Sequence, residues 1–217
     1  MDKNKIIITI SREFGSGGRA IGQLVAKELG INFYDRKIIN LAADESGLAE
    51  SFIEGTDEKV NRAFFDQLSS SQYVLDFSVL QYSKPSGNEA FFAQAKVIRE
   101  IAERESCVII GRCSGYLLRH DPCHISVFIR AELPDRIERA KVEYNMNGEG
   151  LPKEITDIDK GRAQYYLFNT GEKWGELGSY DIVINTSKFG IDGAVATICD
   201  LARKYSSNVP ETVESLQ

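Results

Sequence analysis

The chain is poor in histidine and tryptophan, with two and one in 217 residues, and it lacks long apolar runs. No run approaches the roughly 20 residues that a membrane-spanning helix requires, and no signal-peptide pattern precedes the first apolar run. A net charge of −6 is not typical of proteins that bind nucleic acids or membrane surfaces through a basic face. We therefore expect a cytoplasmic protein with neither a membrane partner nor a nucleic-acid partner.

Cysteine patterns for disulfides or metals are also missing. The four cysteines, Cys107, Cys113, Cys123 and Cys199, form no C-x-x-C pair, which favours reduced and mostly buried thiols. Cys123 adjoins His124, but neighbouring residues of a strand point to opposite sides, so this pair does not predict a metal site. No residue is predicted as a metal ligand from the sequence.

Five short runs are predicted as strands, four of them rich in isoleucine and valine: Ile6–Ile10, Asn32–Tyr34, Cys107–Ile110, Ile125–Ile129 and Asp181–Ile184. They mostly lack polar alternation, which is typical of strands buried on both faces of a sheet. Amphipathic helical patterns separate these runs. We therefore predict a single α/β domain over residues 1–217, with a parallel sheet packed between helices.

Two connections are longer than the roughly 12 residues that a crossover between parallel strands requires. Residues 36–104 are predicted to be mainly helical, and we expect an inserted cap that binds the second substrate. Residues 144–178 contain Gly148, Gly150 and Pro152 before a helical pattern. We expect this second segment to form a lid that moves when substrates bind.

The first predicted strand leads into the sequence SREFGSGGRAIG at positions 11–22. A strand, a glycine-rich turn and a helix N-terminus together aim main-chain N–H groups at one point, which is typical of phosphate binding. Gly15, Ser16, Gly17 and Gly18 are the predicted phosphate-binding residues. The alternative is a tight turn that binds no ligand.

This turn departs from the usual phosphate-loop pattern, G-x-x-x-x-G-K-[ST]. If Gly17 is aligned with the second glycine, Gly18 occupies the lysine position and Arg19 the hydroxyl position. Arg12 then stands at the position of the first glycine. We expect Arg19 or Arg12 to supply the missing positive charge, the alternative for Arg19 being a surface arginine without a role.

Charged residues also follow the second and third predicted strands, at the sheet edge where open α/β proteins bind ligands. Asp35 follows the second strand and either orients a substrate, holds a water molecule on Mg²⁺, or caps a helix. Arg112 follows the third strand. Its planar guanidinium suits a phosphate or a base edge, and a surface ion pair is the alternative.

Two further groups of charged residues fall on predicted helices. Arg139 shares a helix face with Arg136 after the fourth strand, where arginines can stabilise a transferring phosphoryl group or pair with nearby glutamates. Asp159 and Arg162 lie three residues apart in the predicted lid helix. They form either a substrate clamp or a solvated ion pair.

Taken together, several stretches resemble the cytidylate kinase-like family, a branch of the nucleoside monophosphate kinases. They are SREFGSGGR at 11–19, FYD at 33–35, IIGR at 109–112, DxxR at 159–162 followed by Tyr165 and Tyr166, TGxxWG at 170–175 and YDIVINT at 180–186. The resemblance implies a three-layer α/β/α P-loop kinase fold with a five-stranded parallel sheet, a helical monophosphate-binding insertion and a short lid. It also implies ATP and Mg²⁺ as cofactors and CMP or dCMP as acceptor.

Carried over by position, Gly15 to Arg19 face the donor phosphates, and Arg112, Asp159 and Arg162 face the acceptor or the transferred group. The family pattern is broken at the phosphate-loop lysine and its following hydroxyl, and Cys113 replaces the aspartate after the Gly-Arg pair. Ile155 and Thr156 also replace the Arg-Asp that opens the lid motif. We therefore keep three functions open: a nucleoside monophosphate kinase, a nucleotide-binding sensor without chemistry, and a kinase of a non-nucleotide metabolite.

Overall fold

The computed structural model describes residues 5–35 and 87–206. The strands are β1 (Ile7–Arg12), β2 (Asn32–Tyr34), β3 (Cys107–Ile110), β4 (His124–Arg130) and β5 (Ile182–Asn185). The helices are α1 (Gly18–Leu29), α2 (Gly87–Arg104), α3 (Ser114–Leu117), α4 (Leu133–Tyr144), α5 (Leu151–Thr170) and α6 (Thr186–Ser206), with a 3₁₀ turn at Leu177–Ser179. Over these two ranges, no helix is both long enough and apolar enough to cross a bilayer.

The strands of the described ranges form one parallel sheet in the order β2-β3-β1-β4-β5. The predicted strands are confirmed, with shifted ends. β1 continues to Arg12 because Ser11 and Arg12 pair with Phe128 and Ile129 of β4. Asp181, predicted as the first residue of β5, instead precedes the strand, and its carboxylate accepts hydrogen bonds from Ser126.

Helices cover both faces of the sheet. α1 and α6 pack on the face that carries Ile8 and Ile10 of β1, whereas α2 packs on the opposite face with Ile7 and Ile109. This division follows from the alternation of side chains along a strand. The predicted three-layer α/β/α architecture is therefore confirmed.

A separate apolar cluster lies between α4 and α5. Leu151 and Ile155 of α5 and Ala140 of α4 pack around Phe14, which belongs to the turn after β1. α5 begins directly after Gly150, with Pro152 in its first turn, a position that tolerates a residue without an N–H. The helix predicted within 144–178 is thus confirmed, and it packs against the glycine-rich turn; lid movement stays a prediction.

α2 confirms the helical prediction at the end of the 36–104 insertion, whereas the rest of that insertion, residues 36–86, lies outside the described residues. β5 leads directly into α6 at Thr186, because the Asn185 side chain accepts the Ser187 N–H as an N-cap. Gly190, at φ 67° and ψ −178°, interrupts this first turn.

The sheet order places a crevice beside the end of β1. The connection from β1 leads toward β2 at one edge of the sheet, and the connection from β4 leads to β5 at the other edge. Open α/β sheets bind ligands where neighbouring strands send their connections in opposite directions. The glycine-rich turn follows β1 and helix α4 follows β4, so both lie at this crevice.

Candidate active site

The glycine-rich turn requires glycine for two physical reasons. Gly15 and Gly17 have φ angles of +74° and +83°, which side chains other than glycine rarely adopt. A Cβ on Gly18 would lie 2.5 Å from the Cβ of Arg12. Gly17 is the N-cap residue of α1, and no side chain caps the helix, so the first N–H groups of α1 have no side-chain acceptor, although residues 15–18 are buried.

Ser16 anchors this turn from the inside. The residue is fully buried, and its hydroxyl donates to the main-chain oxygen of Glu13 at 2.8 Å. Its carbonyl accepts a hydrogen bond from the Thr186 hydroxyl, also at 2.8 Å. The predicted phosphate-binding residue Ser16 is therefore bonded within the turn through its hydroxyl, and Thr186, the last residue of the stretch YDIVINT, anchors the turn.

Arg19 lies in the first turn of α1 and reaches the end of β2. Its Nε donates to Oδ2 of Asp35 at 2.8 Å, and both side chains remain partly exposed. A cation at a helix N-terminus is unfavourable by itself, and Asp35 compensates it. The structure thus joins two predicted site residues, Arg19 of the donor site and Asp35, which was predicted to orient a substrate, hold a water molecule on Mg²⁺ or cap a helix.

A cleft of about 420 Å³, including its open mouth, lies at the carboxyl ends of β1 and β3. Arg12, Arg112 and Arg162 bring positive charge to this cleft. Its other lining residues are Ser11, Gly111, Cys113, Tyr165, Tyr166 and Trp174. Three of the predicted site arginines are therefore brought together from β1, the β3 end and α5.

Arg12 crosses from β1 to the end of β3. Its guanidinium lies so close to Gly111 that a Cβ there would fall 2.5 Å from Nη1 of Arg12. Gly111, Arg112 and Cys113 all have positive φ angles, of 69°, 57° and 55°. Non-glycine residues in this conformation store strain, and such strain is found mainly at functional sites.

Asp159 is buried among positive charges and a main-chain donor. Its Oδ1 accepts from the N–H of Phe14 at 2.8 Å and from Nη1 of Arg162 at 3.3 Å, and its Oδ2 contacts Arg136. Burial raises the pKa of this carboxyl above its ordinary value, against the lowering effect of Arg162 and Arg136. The predicted substrate-binding carboxylate is thus engaged within the protein.

The two arginines of α4 contact the main chain of the turn. Nε of Arg136 donates to the carbonyl of Phe14 at 2.6 Å, and Arg136 is 6% exposed. Nη1 of Arg139 donates to the carbonyl of Gly15 at 2.6 Å, while its Nε lies 3.6 Å from Glu143. The predicted shared face of these arginines therefore points at the turn, although only Arg139 was selected as a catalytic candidate.

Aromatic rings form one wall of the cleft. Trp174 packs edge-on against Phe128 of β4 with 5.3 Å between centroids, and Tyr180 packs on the same ring at 4.9 Å. Tyr165 donates to Oε1 of Gln94 on α2 at 3.3 Å. The only tryptophan of the chain therefore both packs on the sheet and lines the cleft.

Burial raises the pKa of the Cys113 thiol to about 12, despite the nearby charge of Arg112. The thiol is therefore protonated at neutral pH and is a poor nucleophile. All four cysteines are buried and free, as predicted. Among the described residues, no group of three or more histidine, cysteine, aspartate or glutamate side chains is arranged to hold a metal ion.

The model of the cytidylate kinase-like family matches residues 7–188. The chain belongs to this family. The match spans the glycine-rich turn, the three cleft arginines and α5, so the family assignment covers the whole site described above.

Curated relatives carry the name cytidylate kinase and are distant. The protein from Pyrococcus horikoshii is 24% identical over 199 residues, which cover 91% of this chain and 88% of that protein. The protein from Shouchella clausii is 23% identical, with 92% and 96% covered. The protein from Methanoculleus marisnigri is 30% identical over 127 residues, with 58% and 67% covered.

Solved structures agree with the kinase fold. A crystal structure of an uncharacterized protein from Eubacterium ventriosum aligns with a TM-score of 0.66 and 25% identity, covering 91% of this chain and 98% of that one. Shikimate kinase from Acinetobacter baumannii in complex with shikimate aligns with a TM-score of 0.50 and 14% identity, covering 92% and 93%. The second likeness concerns the fold alone.

Proposed function

We propose that this protein transfers the terminal phosphoryl group of ATP to a nucleoside monophosphate, with CMP or dCMP as the first candidate. The observation that carries the proposal is the convergence of Arg12, Arg112 and Arg162 on one cleft beside the glycine-rich turn. Membership in the cytidylate kinase-like family supports kinase chemistry. The names of the relatives support cytidylate as acceptor.

The glycine-rich turn is assigned to the donor. Gly15, Gly17 and Gly18 lie at the start of α1, which no side chain caps, and main-chain N–H groups at such a helix start bind phosphate together with the helix dipole. Arg19, one residue into the helix, offers the charge that lysine provides in the usual pattern. When ATP binds, Arg19 exchanges its hydrogen bond to the Asp35 carboxylate for one to a phosphate.

The cleft is assigned to the acceptor. Arg112 and Arg162 present planar forks that match a phosphate in a bidentate manner. Tyr165 and Trp174 offer apolar surface for a base or another planar group. Arg12 lies between the turn and Gly111. Its charge is therefore placed to neutralise the donor phosphates, the acceptor phosphate or the phosphoryl group that is transferred.

Phosphoryl transfer depends mainly on positioning and on charge neutralisation. Guanidinium groups remain charged at every physiological pH, so Arg12, Arg112 and Arg162 neutralise the phosphoryl oxygens without a proton transfer. The acceptor of a monophosphate kinase is a phosphate oxygen, which is already anionic at neutral pH. The chemistry therefore needs no strong base, in keeping with Asp35 and Asp159 being bound by arginines.

The family implies Mg²⁺ alongside ATP. In the described part of the chain, the carboxylates nearest the turn, Glu13, Asp35 and Asp159, are all engaged by an arginine or a main-chain N–H. These residues do not fit a protein-held metal site. A magnesium ion that arrives with ATP would take its ligands mainly from phosphates and water, as Mg²⁺ commonly does.

The proposal is tested by ADP release from ATP and Mg²⁺ with the full chain. CMP, dCMP, UMP, AMP, GMP and shikimate are offered one at a time, with a reaction that lacks an acceptor as background. We expect CMP or dCMP to raise ADP release at least about tenfold above background, within the normal range of enzymatic rates. Release that no monophosphate raises contradicts the proposal, and stimulation by shikimate alone moves the acceptor to another class.

A nucleotide-binding sensor without chemistry is the second candidate. It is favoured by one observation: Gly18 and Arg19 stand where lysine and a hydroxyl are usual, and Arg19 is paired with Asp35. Calorimetric titration with ATP, ADP and CMP distinguishes the two functions. Micromolar binding without ADP release over the whole acceptor panel supports the sensor.

A further inference from the structure

Phe14 is held by helices that do not belong to its own turn. Its N–H donates to Oδ1 of Asp159 on α5 at 2.8 Å, and its carbonyl accepts from Nε of Arg136 on α4 at 2.6 Å. Its ring is 3% exposed and packs among residues of both helices. Both main-chain groups and the side chain of Phe14 are therefore fixed by the α4–α5 pair.

The next peptide is held in the same way. The carbonyl of Gly15 accepts from Nη1 of Arg139 at 2.6 Å. A Cβ on Gly15 would lie 2.6 Å from the carbonyl oxygen of Arg136, so α4 approaches the turn at main-chain contact distance. Because a peptide group is planar, fixing these carbonyls also fixes the directions of the N–H groups that follow them.

Arg136 and Asp159 connect these contacts to one another. Arg136 is buried, contacts Asp159 through Nη2, and lies 3.6 Å from Oε1 of Glu13 through Nη1. Glu13 in turn accepts from the N–H of Ala131 at 2.9 Å. One buried guanidinium thus joins α5, the residue before Phe14 and the end of β4.

We propose that Arg136 and Asp159 are positioning residues that hold the peptide of Phe14, so that docking of α5 and the phosphate-binding shape of the turn form a single equilibrium. This inference rests on the proposed function in assigning the turn to a polyphosphate. It gives Asp159 a role on the donor side, through the turn, instead of the acceptor contact that the resemblance implies. Arg162 of α5 also contacts the main chain before the turn, since its Nη1 donates to the carbonyl of Arg12 at 3.0 Å.

The two roles of Asp159 predict different kinetic effects. An acceptor contact predicts that Asp159→Asn raises the KM for the acceptor. A positioning role predicts weaker polyphosphate binding. The NH₂ group of the asparagine side chain would face the N–H donors of Arg136, and the loss of this acceptor would loosen the turn. Asn is isosteric with Asp, so the variant keeps the packing of α5 better than alanine would.

The experiment combines calorimetry with inorganic tripolyphosphate and amide hydrogen exchange on the full chain. Asp159→Asn and Arg136→Lys are compared with Asp157→Asn and Arg203→Lys, whose parent residues pair with Lys160 and Glu28 at the surface. We expect the first two variants to weaken tripolyphosphate binding about tenfold, the value of a charge-assisted hydrogen bond. The two surface variants should bind within about twofold of the wild type.

Hydrogen exchange gives a readout that needs no turnover. In the ligand-free wild type the amide of Phe14 should be protected although it lies in a loop, and Asp159→Asn should speed its exchange about tenfold. Tripolyphosphate should slow exchange along α5 in the wild type. Unchanged Phe14 exchange, or unchanged tripolyphosphate binding with a raised acceptor KM, overturns the inference while leaving the proposed function intact.

Failure of the proposed function is recognised separately. A wild type that binds tripolyphosphate but transfers no phosphoryl group, with binding lost in Asp159→Asn, supports the inference and refutes the kinase. A wild type that does not bind tripolyphosphate overturns the inference as well, since the turn is then not a polyphosphate site.

Discussion

Nε of Arg19 donates to Oδ2 of Asp35 at 2.8 Å, which ties the first turn of α1 to the end of β2. The pair holds the Arg19 guanidinium at the N-terminus of α1. Arg19 follows directly after Gly18, which occupies the position of the phosphate-loop lysine in the usual pattern. The carboxylate balances the charge in the ligand-free protein, and both side chains are exposed enough to exchange partners. The catalytic consequence of the missing lysine can therefore be examined at this one pair.

Replacing Arg19 tests whether it substitutes for the lysine. We expect Arg19→Ala to lower kcat/KM for ADP release about a hundredfold or more, because one charge that stabilises the transferring group is lost. Stability should change little, since removing a cation from a helix N-terminus offsets the loss of the Asp35 pair. Steady-state ADP release beside a urea unfolding curve measures both, and activity within twofold of the wild type rules the role out.

Replacing Arg112 separates the acceptor from the donor. Arg112→Ala should raise the KM for the acceptor about tenfold or more, since a fork that binds phosphate is lost, and should leave the KM for ATP nearly unchanged. Arg203→Ala is the matched control, because Arg203 pairs with Glu28 and Asp200 away from the cleft. An equal rise in both KM values would assign Arg112 to the transferred group instead.

Gly111 and Gly30 form a matched pair with φ angles of +69° and +68°. Alanine at either position should cost about 1–2 kcal/mol of left-handed strain. A Cβ at Gly111 would lie 2.5 Å from Nη1 of Arg12, whereas nothing lies within 4 Å at Gly30. Gly111→Ala alone should therefore displace the Arg12 guanidinium and lower kcat/KM about tenfold. Equal activities of the two variants in ADP release would show that Arg12 has no role in the reaction.

His124 makes stability depend on pH. The ring is 9% exposed, and its Nε2 lies 2.7 Å from the Thr9 hydroxyl. Burial lowers the pKa of His124, while the charges of Asp181 and Asp121 act in the opposite direction. Because the unfolded chain then takes up a proton more readily, stability should fall as pH drops below the ordinary histidine pKa of about 6.5.

Urea unfolding at pH values on both sides of the ordinary histidine pKa of about 6.5 measures this effect, with the loss of stability expected on the acid side. His124→Gln should flatten the dependence of unfolding free energy on pH, and His120→Gln, on the exposed surface, should leave it unchanged. A wild-type curve with the same slope as His124→Gln would contradict a buried neutral imidazole.

Local signals made much of the fold predictable. The short predicted runs match all the strands of the described ranges, and helical patterns predicted α1, α2, α4, α5 and α6. The end of β1 was missed because Ser11 and Arg12 are polar, and only their pairing with β4 extends the strand. Apolar patterns contain no information about such a partner.

The inner contacts of the site could not be predicted. Asp159 binds the N–H of Phe14 from 145 positions away, and the Thr186 hydroxyl binds the Ser16 carbonyl from 170 positions away. Nearly every residue offers the same main-chain N–H and C=O groups, so no sequence motif reveals a main-chain partner. The spacing of Arg136 and Arg139 was a usable signal, but only burial shows that Arg136 belongs to the support of the turn.

The most direct test of the central claim follows the phosphoryl group itself. The full chain is incubated with ATP labelled in its terminal phosphate and with CMP or dCMP, and the nucleotides are separated. The account predicts that the label appears in CDP or dCDP, and that Arg112→Ala slows its appearance while Arg203→Ala does not. Label that stays in ATP or appears only as inorganic phosphate would contradict phosphoryl transfer to these acceptors.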